Sequence, residues 1–484
     1  MLFNSFQFLL FFPLVLIFYF ALPKKAKNLW LLGASYFFYM NWNAKYGLLL
    51  LSFTLITYLA SIVIEKTRKV NKNENAQKKI LLIFVCSIFI ILSVLFYFKY
   101  FNFFLQTVSK FFKFLHIQLS FKKYDIVLPV GISFFAFQAI GYLADVMRGD
   151  TKAEKNFFRY ALFVSFFPQL VAGPIERSKT LLRQLEKTYS FDFERAKDGI
   201  FSIIWGFFLK LVVADRASVA VDFIFSNENS TGLQVISATF LFAFQIYCDF
   251  CGYSTIALGA SKILGINLMR NFNSPYFSVG ISDFWRRWHI SLSSWFRDYI
   301  YIPLGGNRCS ALRRNMNIMA VMLVSGIWHG AGVNYILWGG LHGALQIAEN
   351  FFQPALGKIN KYVRMFLTFM LVCAGWFLFR CVYISRGIKM IKSVIRNFSP
   401  KNIFLNSTEL YNLDAANLTL LLISILIVLF VDFIYYKGFS IKEFFLRQKL
   451  IVQSALIVFF ADIVIIFGIW GTSFNKSAFI YFQF

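Results

Sequence analysis

Long apolar runs decide what this chain can fold into. Residues 5–22, SFQFLLFFPLVLIFYFAL, carry no charge, and runs of similar length recur along all 484 residues. About 20 apolar residues carry a helix across the hydrocarbon core of a bilayer. The runs are continuous, without the polar–apolar alternation of a closed β-barrel. Backbone groups in lipid must be satisfied internally, so helices remain. Composition agrees: 58% of residues are hydrophobic and 15% charged, against about a quarter charged in a soluble domain, and the mean hydropathy is +0.62. The sequence specifies an all-α polytopic membrane protein.

The net charge of +26 could suggest nucleic acid. Lys and Arg crowd the short loops, however, as positive-inside orientation and anionic headgroups favour, so no nucleic-acid partner is expected and membrane lipids are. With the basic loops 24–27, 65–79, 176–197 and 437–450 inside, the chain makes about 11–12 crossings with both ends outside. Residues 29–64 read as a hairpin of two spans, 65–79 as a polar loop, 80–98 as a span and 99–123 as an interfacial amphipathic stretch. Residues 126–147 read as a span, and 157–175, broken by Pro168, Gly173 and Pro174, as a crossing or a re-entrant segment. Spans at 198–222 and 232–262 are joined by Asp222–Thr231, which lacks Lys and Arg and reads as extracytoplasmic. Residues 270–314 suggest interfacial or re-entrant helices, 315–352 a hairpin, and 362–380, 416–436 and 451–470 further spans. The first helix reads as retained, not as a cleaved signal. No soluble domain or internal repeat is evident, so residues 1–484 read as a single domain.

The polar chemistry concentrates in Asp283–Gly343, which holds three of the four histidines and five of the ten tryptophans. His289 lies in FWRRWHISLS and His329 in SGIWHG. An ionisable group in apolar surroundings is costly and points to function. An imidazole can take a proton from a hydroxyl nucleophile at neutral pH, and burial favours the neutral form that a base requires. A packed histidine that only donates to a backbone carbonyl is the plainer reading. His342 sits 13 residues after His329, not at a one-turn metal spacing. No H-E-x-x-H or compact ligand cluster occurs, so no metal is expected. Arg286, Arg287 and Arg297, with Arg308, Arg313 and Arg314 downstream, form a basic cluster suited to phosphates. Headgroup anchoring beside an interfacial belt of Trp285, Trp288 and Trp295 is the competing account. Asp145, Glu176, Asp215 and Asp249 each require a cation nearby. Lys210 and Asp215 are five apart, not quite on one face of an α-helix. Cys248 and Cys251 form a C-x-x-C in an apolar run with no second pair, which reads as packing.

FWRRWHISLSSWFRDYIYIPLGGN followed by SGIWHG and LWGGLHG resembles the membrane-bound O-acyltransferase (MBOAT) family, in its AlgI/PatA-like bacterial branch of polysaccharide and peptidoglycan O-acetylation. The DltB-like D-alanyl transfer branch is more distant. LPVGISFFAFQAIGYLADVMRGD, FPQLVAGPIERS, LKLVVADR, FQIYCDFCGYSTIALGASKILG and the terminal FIYFQF extend the likeness over about residues 5–484, with Cys251 where the branch usually has Ser. The resemblance implies an MBOAT-type bundle of 11–12 transmembrane helices with re-entrant or interfacial helices around a central tunnel, its core motifs at about 126–352. It implies catalytic roles for His329 and His289. Arg177, Asp215, Trp285, Arg286, Arg287, Trp288, Ser291, Arg297 and Trp328 become candidates for the tunnel or its donor mouth. It further implies acetyl-CoA as donor substrate with no bound cofactor, an acceptor hydroxyl outside, and the bacterial inner membrane as location. A separate extracytoplasmic SGNH-type acetyltransferase would pass the group to a glycan such as peptidoglycan or alginate. Two rival expectations are D-alanyl transfer from a carrier protein and transport of a cell-wall precursor.

Overall fold

The apolar runs fold into helices throughout a computed structural model that describes residues 1–70, 73–227, 229–398 and 407–470; the terminal FIYFQF lies outside them. Contacts divide the chain into two compact units, Met1–Ala196 with Ala260–Met269, and Lys197–Gly259 with Arg270–Phe484.

The first unit begins with α1 (Phe6–Ala21), α2 (Lys24–Met40), α3 (Lys45–Val70), α4 (Glu74–Lys99) and α5 (Phe101–Phe114). The expected polar loop 65–79 is largely helical. Lys69 pairs with Glu65 one turn back, and Asn73 caps α4 by accepting from the Ala76 N–H at 2.9 Å. An ion pair and a cap of this kind keep the backbone helical through a charged stretch. α6 (Ile132–Arg148) is buried on every face from Ile132 to Val146, as a helix apolar all round should be when protein surrounds it. The segment broken by Pro168 becomes α7 (Phe157–Ser165) and α8 (Phe167–Leu170). The carbonyl of Phe163 accepts from the side-chain amides of Gln138 and Gln169, at 2.6 and 2.9 Å. The irregular backbone is thus satisfied by protein. α9 (Ser178–Leu185) follows.

The second unit takes up most of α10 (Phe193–Phe207), which continues into a π-helix at Phe208–Ala214, α11 (Asp215–Ser226) and α12 (Gly232–Ile263). Two short helices, α13 (Ile281–Arg287) and α14 (Ile290–Phe296), lead into a second π-helix at Arg297–Tyr301. The expected hairpin is α15 (Ala311–His329) against α16 (Val333–Leu356). α17 (Lys361–Arg380), α18 (Ile384–Arg396), α19 (Ser407–Tyr411), α20 (Ala415–Tyr436), α21 (Ile441–Leu446) and α22 (Leu450–Phe467) complete it.

Among the described residues six helices are long and apolar enough to cross a membrane: α3, α4, α12, α17, α20 and α22. The other expected crossings are shorter, broken or more polar. α1 has 16 residues with Pro13 inside it, and the 198–222 segment carries the π-helix. The chain is a multi-pass membrane protein.

Candidate active site

The site is built on the α15–α16 hairpin. A Cβ on Gly326 would stand 2.2 Å from the Tyr335 carbonyl oxygen, and one on Gly339 2.3 Å from that of Met322. Only glycine lets the two backbones meet this closely. The contact sets His329, at the end of α15, against Trp338 on α16, with ring centroids 5.0 Å apart. Phe379 of α17 closes the other side at 5.4 Å, and the Asn334 side-chain amide fixes that wall by donating to the Phe379 carbonyl at 3.0 Å. His329 is 4% exposed.

His289 joins α13 to α14 in the left-handed region, at φ 43° and ψ 54°. A non-glycine residue held there costs free energy that its surroundings must supply. Asn271 supplies it. Its backbone carbonyl accepts from the Ile290 N–H at 2.9 Å, and its Oδ1 accepts from the Ser291 Oγ at 2.6 Å and the Ser291 N–H at 3.3 Å. Its amide nitrogen donates to the Ser254 Oγ at 3.1 Å. The turn aims His289 into a pocket of Phe250, at 4.6 Å, and Trp328, at 5.8 Å. Burial pulls the His289 imidazole down to about 3, so the ring is neutral at physiological pH.

Trp328 also stands edge-on to His329 at 4.9 Å, so one indole lies against both imidazoles. The series continues from His329 through Trp338 to His342 at 5.0 Å, and from His342 to Trp285 at 5.2 Å. The Trp285 indole N–H donates to His342 Nδ1 at 3.3 Å. His342, set aside above for lack of a metal spacing, is therefore part of the site. Its partner lies 57 residues away in sequence, and no local pattern marks it. Among the described residues no group of three or more His, Cys, Asp and Glu side chains converges as a metal site would.

Trp285 and Arg286 line a cavity of about 260 Å³ with Ser293, Ser294, Arg297 and Ser325. Ser325 lies one turn before His329 on α15. The arginines differ in what they are available for. Arg286 is exposed at the cavity. Arg287 is tied to Asp283 at 3.0 Å and to the Asn273 carbonyl at 3.3 Å. Arg297 pairs with Asp298 at 2.8 Å and keeps 63% of its side chain exposed. Arg313 and Arg314 lie in the first turn of α15, roughly 23 Å from His329 at 1.5 Å per residue, so they do not belong beside the histidines. Trp285, Trp288 and Trp295 are 7%, 1% and 5% exposed. That is incompatible with an interfacial belt: Trp288 packs among Phe272, Phe284 and Trp376.

Asp215 lies apart from this series. Lys210 bridges it, at 2.7 Å, and Asp249, at 2.6 Å. The spacing of five, awkward for an α-helix, fits the π-helix that carries Lys210, where the Asp215 N–H donates to the Lys210 carbonyl. Arg177 belongs to the first unit and precedes α9. Beside it Glu176 is buried and accepts from the Met269 N–H at 2.6 Å. Burial pushes that carboxyl up to about 7.

Residues 152–385, which include every candidate named above, match the sequence model of the membrane-bound O-acyltransferase family. The chain is 36% identical over 448 residues to the probable alginate O-acetylase AlgI of Pseudomonas aeruginosa, covering 92% of this chain and 82% of that one. It is 34% identical over 432 residues to the peptidoglycan O-acetyltransferase of Helicobacter pylori, covering 82% and 80%. Against the teichoic acid D-alanyltransferase of Bacillus subtilis the identity is 29% over 295 residues, covering 56% and 74%. With likeness of this extent around a buried histidine pair, the chain belongs to the membrane-bound O-acyltransferase family.

Proposed function

We propose that this acyltransferase carries the membrane step of a bacterial O-acetylation system. It takes an acetyl group from acetyl-CoA on the cytoplasmic side of the inner membrane and passes it to a hydroxyl on the other side. The acceptor system is peptidoglycan or an alginate-like exopolysaccharide, as the names of its relatives suggest. A separate SGNH-type acetyltransferase delivers the group to the glycan. The observation that carries the reading is the pair His289 and His329 on one indole, one turn beyond a cavity edged by Arg286 and Arg297. The arginines suit the phosphates of the donor. His329 removes the hydroxyl proton as the oxygen attacks the thioester carbonyl. The C–S bond then breaks and the thiolate takes up the proton. His289, neutral and fixed, polarises the acyl carbonyl from its N–H.

The test is transfer of labelled acetyl from acetyl-CoA by purified protein in proteoliposomes, with and without the candidate SGNH protein. Label should reach the partner with wild type and not with His329→Ala. Equal transfer by the variant removes His329 from the chemistry. No transfer by wild type to a partner of known activity points to a different donor, D-alanyl chemistry first.

A further inference from the structure

The face of α16 that meets α13 carries His342, Gln346 and Glu349, at the i, i+4 and i+7 spacing of one helical stripe. α13 engages the outer two. The Trp285 indole N–H donates to His342 Nδ1 at 3.3 Å, and the Ser282 backbone N–H donates to the Glu349 carboxylate at 2.8 Å. Gln346, between them, lines the cavity beside Arg286. Its amide nitrogen is buried and has no hydrogen-bond partner among the described residues. A buried polar group without a partner costs free energy, and nothing in the packing of α16 on α13 requires one here. A ligand in the cavity supplies the missing partner.

The cavity restricts the chemistry of that ligand. Leu292, Phe296 and Met322 give it apolar walls, and the exposed Arg286 guanidinium stands at its edge. A glutamine side chain offers both N–H donors and a carbonyl acceptor, and the group that complements both is another amide. The ligand therefore has an anionic end for Arg286 and a neutral amide for Gln346. Gln346 lies eight residues along α16 from Trp338, roughly 12 Å at 1.5 Å per residue, and Trp338 stands against His329. A thioester at His329, followed by a chain of amides and then by phosphate, has its parts in this order.

We propose that Gln346 recognises the pantetheine arm of the acyl donor, pairing with one of its amides while the phosphates lie at Arg286. This role rests on the acetyl-CoA reading above and makes Gln346 a selector of the carrier and not of the acyl group.

The test compares wild type, Gln346→Leu and Gln346→Met, as full-length protein in proteoliposomes, with three donors of labelled acetyl. Acetyl-CoA has the amides and the phosphates, S-acetylpantetheine has the amides alone, and S-butyl thioacetate has neither. Both variants should raise KM about five- to tenfold with the first two donors, the effect of losing one neutral hydrogen bond. With S-butyl thioacetate the ratio of variant to wild-type kcat/KM should return to one. Arg286→Ala should raise KM for acetyl-CoA and leave that for S-acetylpantetheine unchanged. Thermal stability of both Gln346 variants should hold or rise, because each removes a buried donor that no protein group satisfies. An unchanged KM for acetyl-CoA in both variants, with wild type active, overturns the role of Gln346 alone. So does an equal rise with all three donors, which marks a general distortion of the site. No transfer from acetyl-CoA by wild type, to a partner of known activity, overturns the acetyl-CoA reading and this role with it.

Discussion

Gly375→Ala tests the histidine–tryptophan series at its tightest point. A Cβ at Gly375 would lie 2.7 Å from His342 Nε2, and His342 is fully buried between Trp285 and Trp338. The imidazole has no open space to retreat into. Overpacking of this kind costs about 1–3 kcal/mol, and displacing the ring from the Trp285 N–H costs about 1 kcal/mol more. Alanine in a helix interior returns about 1 kcal/mol relative to glycine. The net loss is therefore about 1–3 kcal/mol. In a His342→Ala background the new methyl faces a void, and the same substitution should cost nothing or stabilise. Heat challenge followed by size-exclusion chromatography of wild type, both single variants and the double variant reads the coupling. Equal losses from Gly375→Ala in both backgrounds would refute the contact, and unchanged thermal stability of the single variant would refute the packing argument itself.

Asn271→Ala should lower kcat at saturating donor and cost about 1–3 kcal/mol, because the left-handed turn at His289 loses its brace; an unchanged kcat would show that the turn holds itself. Lys210→Met leaves Asp215 and Asp249 buried without their shared cation and should cost about 3–5 kcal/mol, with much of it recovered when both carboxylates become Asn, as read by yield and thermal stability. Arg286→Ala should raise KM for the thioester donor about tenfold with kcat little changed, whereas Arg287→Ala, whose side chain is already engaged by Asp283, should leave KM alone. The folded state holds the Glu176 proton up to about 7, above its ordinary 4.5. That contribution is complete below about 4.5 and is lost as pH rises through 7. Melting temperatures from pH 5 to 8 should fall for wild type and stay flatter for Glu176→Gln.

The spanning helices were legible because each is a long apolar run, and hydropathy along one strand of sequence reports that directly. The break at Pro168 was legible from the proline itself, and the amphipathic α5 from lysines recurring among phenylalanines. What escaped depends on contacts between distant segments or on rare backbone geometry. Lys210 and Asp215 look mismatched until the helix takes the π form. Trp285, Trp288 and Trp295 have the composition of an interfacial belt, and only the packing of α13 and α14 shows them to be interior. His289 and His329 stood out by their tryptophan neighbours, whereas His342 shares its site through Trp285, Trp338 and the close approach of Gly375, none of which a linear motif encodes. The family was legible in the motifs around His289 and His329 themselves, which depend on none of these contacts.

α13 and α14 have seven residues each. Each rises about 10 Å, a third of a hydrocarbon slab of about 30 Å. α17 and α20, with 20 and 22 residues, are long enough to cross that slab whole. The cavity beside the short helices is lined by Ile290, Leu292 and Phe296 as well as by Arg286 and Arg297. Neither short helix can span such a slab alone, and α13 leans on α16 instead, through Trp285 against His342. Longer or shorter acyl chains in the surrounding bilayer will tilt the long helices, while helices too short to span carry no such mismatch themselves.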